Sequence, residues 1–198
     1  MNDVTSQTRP LGGRGARERI ERAAVWLFYR NGIHATGVEL VAQQAGVSKR
    51  TLYQHFASKN ELVDNYLRGI DARGGTPTEK RLDETDLPAR DRLLAIFEAP
   101  RSEVIRGCPF HNAAVESAGS LASTDEIVRT HKQEFARRLV AVALEAGAAD
   151  PHVLGHQLAV LFDGATAMAT SLNDTAPYVH ARAAAATLID TAMADSKG

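Results

Sequence analysis

The residues of this chain able to do chemistry gather in two places. The first is Ser48-Lys49-Arg50-Thr51-Leu52-Tyr53-Gln54-His55-Phe56, where two cations, a phenol and several hydroxyls and amides crowd into one short stretch. If Leu52 and Phe56, four residues apart, face inward on a helix, then Lys49, Arg50, Tyr53 and Gln54 lie on its outer side. Lys and Arg suit the start of a helix poorly, because the helix dipole favours anions there. Opposite phosphates or guanine edges the same placement becomes favourable. A helical hairpin with a solvated charged face accounts for the cations but not for Tyr53 beside them.

The second place is Cys108-Pro109-Phe110-His111-Asn112. A Cys with a His three residues on could serve as nucleophile and base, yet catalysis also needs an orienting group and an oxyanion site. The sequence shows neither, so no catalytic residue is assigned. A helical enzyme using the Cys108/His111 region stays as an alternative, beside thiol redox sensing and an ordinary buried Cys. His152 and His156, at i and i+4, could share a metal, but no third ligand stands close in sequence, and neither metal nor cofactor is assigned. His131 sits on the stripe Ile127, His131, Phe135, Leu139, Val142, either as a satisfied core histidine or as a ligand contact. With Phe97, Cys108, Phe110, His111, Phe135, Phe162 and Met168 it makes up the candidate pocket set.

Elements that could position these groups are helical. Alanine fills 33 of 198 positions, and there is no sustained β-type alternation. Ile20, Ala23, Ala24, Leu27 and Phe28 give one apolar face to a helix over about 16–30, which Asn31-Gly32 stops. Thr36-Gly37-Val38-Glu39 has capping-box spacing for a short second helix, and Gly46 ends it. Ser48 is the expected N-cap of the third, and Ser58-Lys59-Asn60-Glu61 opens the fourth. Residues 74–87 read as a connection. Further helices are expected near 88–99, 109–119, 123–147, 151–173 and 177–195.

In the last two, Leu154, Leu158, Leu161, Ala165, Met168 and Leu172 recur at 4,3,4,3,4 spacing, and Val179, Ala183, Ala186, Ile189 and Met193 make a smaller-residue stripe. Both patterns fit either an intramolecular core or a four-helix seam between two copies.

Charge is unevenly distributed. The chain totals −1, yet residues 1–60 hold nine Lys/Arg against four acids, a net of +5, leaving −6 on the other 138. That asymmetry suits a basic surface for a polyanion beside an acidic body. One cysteine excludes an intramolecular disulfide and suits a reducing compartment. The longest apolar stretches are broken by Glu145 and Asp163, short of the roughly 18 residues a membrane span needs. No membrane partner and a cytoplasmic location are expected.

From Arg17 to about Leu67 the spacing of I-x-x-A-A-x-x-L-F (Ile20–Phe28), Gly32, Thr36, Val41-Ala42, Ala45-Gly46-Val47-Ser48, Thr51-Leu52-Tyr53, His55-Phe56, Ser58-Lys59 and Leu62 resembles the DNA-binding domain of TetR/AcrR-type transcriptional regulators. Arg50 departs from that pattern, which usually has Gly or Pro there. The resemblance implies an all-α chain: a flexible basic arm at 1–15, a three-helix helix-turn-helix DNA-binding domain at 16–67, and a helical-bundle ligand-binding and dimerisation domain at 68–198.

It further implies a homodimer, read as a repressor with activation left open, that binds an inverted-repeat double-stranded operator and is released by a small-molecule effector. Carried over by position, Lys49, Arg50, Thr51 and Tyr53 face bases and phosphates. Thr36, Ser48, Tyr53, His55 and Lys59 position the DNA backbone, and Arg14 and Arg17 reach an adjacent groove. A ligand-independent DNA-binding protein, in which 68–198 only dimerises, is the other reading.

Overall fold

The computed structural model describes residues 15–100, 105–117 and 122–194. Arg14, and with it nearly all of the expected arm, lies outside them. Among the described residues the chain is all helical: α1 (Ala16–Asn31), α2 (Val38–Gln44), α3 (Lys49–His55), α4 (Lys59–Asp71), a 3-10 turn at Glu79–Asp83, α5 (Ala89–Ala95), α6 (Pro109–Ser117), α7 (Ala122–Glu145), α8 (Pro151–Leu172) and α9 (Ala176–Ala194). The chain divides into two compact units at Tyr66 and Leu67.

In the first unit the apolar face of α1, Ile20, Ala23, Ala24, Leu27 and Phe28, is buried, and Val38, Val41 and Ala42 of α2 and Leu52 of α3 are buried with it. Two caps form as the sequence anticipates. Ser48 Oγ accepts the Thr51 N–H at 3.0 Å, and Ser58 Oγ accepts the Glu61 N–H at 3.1 Å while Glu61 Oε2 accepts from Ala57 N at 2.7 Å. The expected capping box at Thr36 does not form. Gly37 is the N-cap of α2 and makes no side-chain bond. Thr36 is fully buried, and its hydroxyl donates to the Gly32 carbonyl at 2.7 Å. The orphan carbonyls at the end of α1 are the nearer demand on that hydroxyl.

In the second unit α7 packs on α8 and α8 on α9, with α5 and α6 against α7. Phe162 of α8 meets Phe97 edge-on at 6.1 Å and Phe135 at 5.3 Å, inside a core that includes Leu93, Ile96, Leu139, Leu154, Leu158, Ala165, Ala185 and Ile189. α5 is shorter than the 88–99 expected. It ends at Ala95, and the next residues close i→i+3 turns, in keeping with the bias against helix just before Pro100. Arg92 of α5 is buried, yet its guanidinium donates to the Leu82 carbonyl at 2.8 Å and to Glu145 Oε2 at 2.6 Å. A buried charge is tolerated when paired and hydrogen-bonded in this way.

The α7/α8 crossing depends on Gly155. A Cβ there would stand 2.5 Å from Val140 Cγ2 and 2.8 Å from the Val140 backbone nitrogen, so the two backbones approach where no side chain fits. We predict that Gly155→Val lowers stability by about 1–3 kcal/mol through overpacking, seen as a drop of several degrees in the thermal midpoint. An unchanged midpoint would show that the helices are not held this closely.

Candidate functional site

Helix α3 has seven residues, too few to be stable by itself. It is seated from below: Leu52 and Phe56 are almost wholly buried, which turns Lys49, Arg50, Tyr53 and Gln54 to the exposed side. Tyr53 keeps 43% of its surface open. Gly46, at φ 62, makes the turn from α2 into this helix, a conformation that L side chains adopt rarely. Arg19 Nε donates to the Ala45 carbonyl at 3.0 Å and so satisfies the end of α2.

Of the residues expected at a nucleic-acid surface, Ser48, Lys49, Arg50, Thr51, Tyr53, His55 and Lys59 fall within α3, its cap or the start of α4. Ser48 and Thr51 share a hydroxyl contact of 2.8 Å, in addition to the cap. Lys49 pairs with Glu39 of α2, and its ammonium lies 6.0 Å from the Tyr53 ring centroid. The hydrogen bond and charge of that pair hold Lys49 above and Glu39 below their ordinary pKa values. His55 is half-buried. Lys59 Nζ donates to the His34 carbonyl at 3.4 Å.

Two of the expected residues are engaged by contacts within the first unit. The Thr36 side chain is sealed inside, as described above. Arg17 is not part of an arm: it lies on α1, where it ion-pairs with Glu21 at 3.0 Å, donates to the His55 carbonyl and to Asn65 Oδ1 at 3.2 Å each, and covers the Phe56 ring at 4.5 Å. One guanidinium thus ties α1, the end of α3 and α4 together. Trp26 is 48% exposed, with the Arg30 guanidinium 5.1 Å from its ring.

In the second unit the candidate pocket residues separate. Phe97, Phe135 and Phe162 form the aromatic core already described. Met168 is exposed on α8 and His111 half-buried on α6. Cys108, Phe110 and His131 come together with four residues that sequence reading did not single out. Phe110 stacks flat on the His131 imidazole, centroids 3.4 Å apart. His131 Nδ1 meets Asp71 Oδ1 at 2.7 Å, and Nε2 meets Glu79 Oε1 at 3.1 Å. Lys132 Nζ donates to Asp163 Oδ1 at 2.5 Å and approaches Cys108 Sγ at 3.7 Å. One signal for Glu79 was available: Thr76-x-x-Glu79 has capping-box spacing, and the reciprocal bonds do form, Thr76 N to Glu79 Oε2 at 2.7 Å and Glu79 N to Thr76 Oγ1 at 3.3 Å.

Electrostatics follow from burial and neighbours. Burial alone would raise the Glu79 carboxyl, but the hydrogen bond and charge of His131, the Thr76 N–H and the charge of Lys132 together hold it below the usual carboxylate value. Burial pushes the Cys108 thiol up, against the pull of Lys132 and of a backbone bond at His111. A thiol so placed is a poor nucleophile. His156 Nδ1 donates to the His152 carbonyl at 2.8 Å, and both residues are exposed.

The long stripes on α8 and α9 divide. Leu154, Leu158, Ala165 and Ile189 belong to the chain's own core, and Leu161, Ala186 and Met193 pack partly against it. Met168, Leu172, Val179 and Ala183 are exposed. Next to them His156, Gln157, Val160, Leu161, Ala184, Thr187 and Leu188 line an open, largely apolar groove.

Comparison with known proteins gives consistent results. Residues 20–66 match the family described as bacterial regulatory proteins, tetR family. The crystal structure of sav143 from Streptomyces avermitilis, assigned as a TetR transcriptional regulator, is 31% identical, with a TM-score of 0.74 over 89% of this chain and 97% of that one. The HTH-type transcriptional activator FasR from Mycolicibacterium smegmatis is 38% identical over 110 residues, 47% of this chain and 46% of FasR. The HTH-type transcriptional repressor KstR2 from Mycobacterium tuberculosis is 48% identical over 70 residues, 35% of this chain and 32% of KstR2. The chain therefore spans half or less of the length of these two curated relatives. Among the described residues no helix is long and apolar enough to cross a membrane. With the sav143 likeness running through both units and the family match falling on the helices that seat α3, the chain belongs to the TetR family.

Proposed function

We infer that this chain is a cytoplasmic transcriptional regulator that binds an inverted-repeat operator as a homodimer through α3, and that a small-molecule effector bound in the second unit releases it. The observation that carries the reading is the outward row Lys49, Arg50, Tyr53 and Gln54, held in register by Leu52 and Phe56 beneath it. Arg and Gln are the side chains that read guanine and adenine edges in the major groove, and Lys and Tyr supply phosphate contacts. The domain assignment follows: residues 16–67 bind DNA and residues 68–198 dimerise and take the effector. Release is a population shift, in which an effector that favours the wrong spacing of the two α3 helices lowers operator affinity by linkage. The groups around His131 give the second unit buried polar contacts beside the stacked Phe110 ring, a combination of polar and aromatic lining that suits a small-molecule site.

Likeness to KstR2 supports a repressor. Likeness to FasR favours an activator, and a promoter fusion read with and without the regulator separates the two signs. The enzyme reading through Cys108 and His111 loses support, since Cys108 is buried with its thiol raised.

The dimer face we assign is the exposed part of α8 and α9. Val160, Met168, Leu172 and Val179 leave more apolar surface open there than isolated surface residues would, and Val160 lines the groove with Leu161 and Leu188.

On operator DNA, Arg50→Ala and Tyr53→Ala should each weaken binding by about 1–3 kcal/mol, roughly 5- to 150-fold, with the helical circular dichroism unchanged. Lys49→Ala should weaken all sequences alike and reduce the slope of log affinity against log salt by about one. Unchanged affinities in all three would remove α3 from the interface. Separately, Val160→Glu should yield monomers in sedimentation equilibrium and lower operator affinity. Dimers persisting in that variant would place the interface elsewhere.

A further inference from the structure

The cluster beneath Phe110 brings together side chains of metal-ligating type. We propose that Glu79, Cys108 and His131 form a binding site for a divalent transition-metal ion of the zinc type, with one coordination position left for water or an effector. The three residues come from the 3-10 turn, the position just before α6 and the middle of α7, and all are buried. Their donor atoms, a carboxylate oxygen, the thiol sulfur and an imidazole nitrogen, lie within 4.8 Å of one another. A tetrahedral zinc with bonds of about 2.0–2.3 Å sets its donors roughly 3.3–3.7 Å apart. Glu79 Oε1 and His131 Nε2 are already at 3.1 Å, so the remaining contraction is about 1 Å, within reach of small side-chain rotations.

The surroundings fit a metal site better than a chance cluster, because every ligand is held by a second partner. Asp71 Oδ1 takes the far ring nitrogen of His131, which leaves Nε2 as the ligand atom. This is the carboxylate–histidine–metal arrangement that fixes ring orientation and raises ligand basicity. The Thr76 N–H holds Glu79 Oε2 and leaves Oε1 facing the centre. Lys132, anchored on Asp163, points its ammonium at Cys108 Sγ, where it would donate to a thiolate. Phe110 lies flat against the imidazole and covers one side. The side chains of Asp71 and Lys132 are 39% and 25% exposed and mark the way in from solvent.

Binding is an exchange: the thiol proton and any proton on Nε2 leave to solvent, the sulfur and nitrogen lone pairs go to the metal, and no electron is transferred. Sulfur, nitrogen and oxygen in one buried set select zinc and its neighbours over magnesium or calcium, which prefer oxygen alone. Asp71 is the last residue of α4, so an ion here would fix the end of that helix. The assignment does not rest on the DNA-binding reading.

The test uses the full chain stripped of metal and titrated with Co(II), which takes zinc sites and reports its ligands by colour. Expected are one equivalent per chain, intense visible bands of four-coordinate cobalt, and a thiolate-to-cobalt charge-transfer band displaced by stoichiometric zinc. Cys108→Ser should lose the charge-transfer band, and Asp71→Asn, on a partly exposed side chain, should bind about 10- to 100-fold more weakly with the thiolate band intact. Zinc should also raise the thermal midpoint of the unaltered chain but not that of Cys108→Ser. Cobalt uptake without a thiolate band, as from the exposed His152/His156 pair, or a Cys108→Ser spectrum identical to the parent's, would overturn the proposal. Failure of cobalt to bind at all would do the same and would leave the operator reading standing.

Discussion

A helix of seven residues cannot hold its own conformation in water, and α3 depends for its existence on what lies beneath it. Nucleation costs more than two turns of backbone hydrogen bonds return. The difference is made up by burial of Leu52 and Phe56, each contributing about 1.5–3 kcal/mol, by the Ser48 cap and by Arg17 closing the far end on the His55 carbonyl. The same burial fixes rotation about the helix axis. Once Leu52 and Phe56 face down, Lys49, Arg50, Tyr53 and Gln54 have no other direction than outward. The stability of α3 and the face it presents are therefore set by the same two side chains, and the rest of the first unit is the platform for them.

The second unit solves a different problem. Its core is packed closely enough for α7 and α8 to touch at Gly155, yet it encloses Arg92, Glu79 and His131, which carry or share charge. Each is satisfied. Arg92 meets a carbonyl and Glu145, and His131 lies between two carboxylates. Removing one partner from such a set leaves an uncompensated polar group in a low dielectric, which costs more than the pair contributes. These groups therefore hold the 3-10 turn, α5, α7 and the end of α4 in one arrangement, and any ligand entering there must replace bonds that are already good.

Local signals carried most of what was legible in the sequence. The α1 stripe, the glycine turns, the Ser48 and Ser58 caps and the outward face of α3 all depend on residues within four positions of one another. The failures have longer range. Thr36 is the exception: it has the spacing of a capping box, but its hydroxyl turns back four residues to the Gly32 carbonyl at the end of α1. Arg17 looks like the start of a basic arm, but besides its local pair with Glu21 it bonds residues 38 and 48 positions away. The polar cluster joins residues 52 and 60 positions apart, and only Thr76-Pro77-Thr78-Glu79 hinted at it. The 4,3,4,3,4 stripe on α8 was ambiguous for another reason. Heptad spacing describes a helix that packs on a neighbour without saying whose, and here Leu154, Leu158 and Ala165 turn to the chain's own core while Met168 and Leu172 stay outside.

Near-neutral total charge hides a division of labour that the fold makes concrete. The positive excess of residues 1–60 includes the exposed cations of α3, where a duplex would draw on them most. Selection of bound duplexes from a random pool by the purified chain, followed by sequencing, tests this account most directly. It predicts enrichment of a two-fold symmetric sequence whose half-sites lie about one helical turn, roughly 34 Å, or a small multiple of it apart. A pool that stays unenriched, or that yields sites with no dyad symmetry, would contradict it.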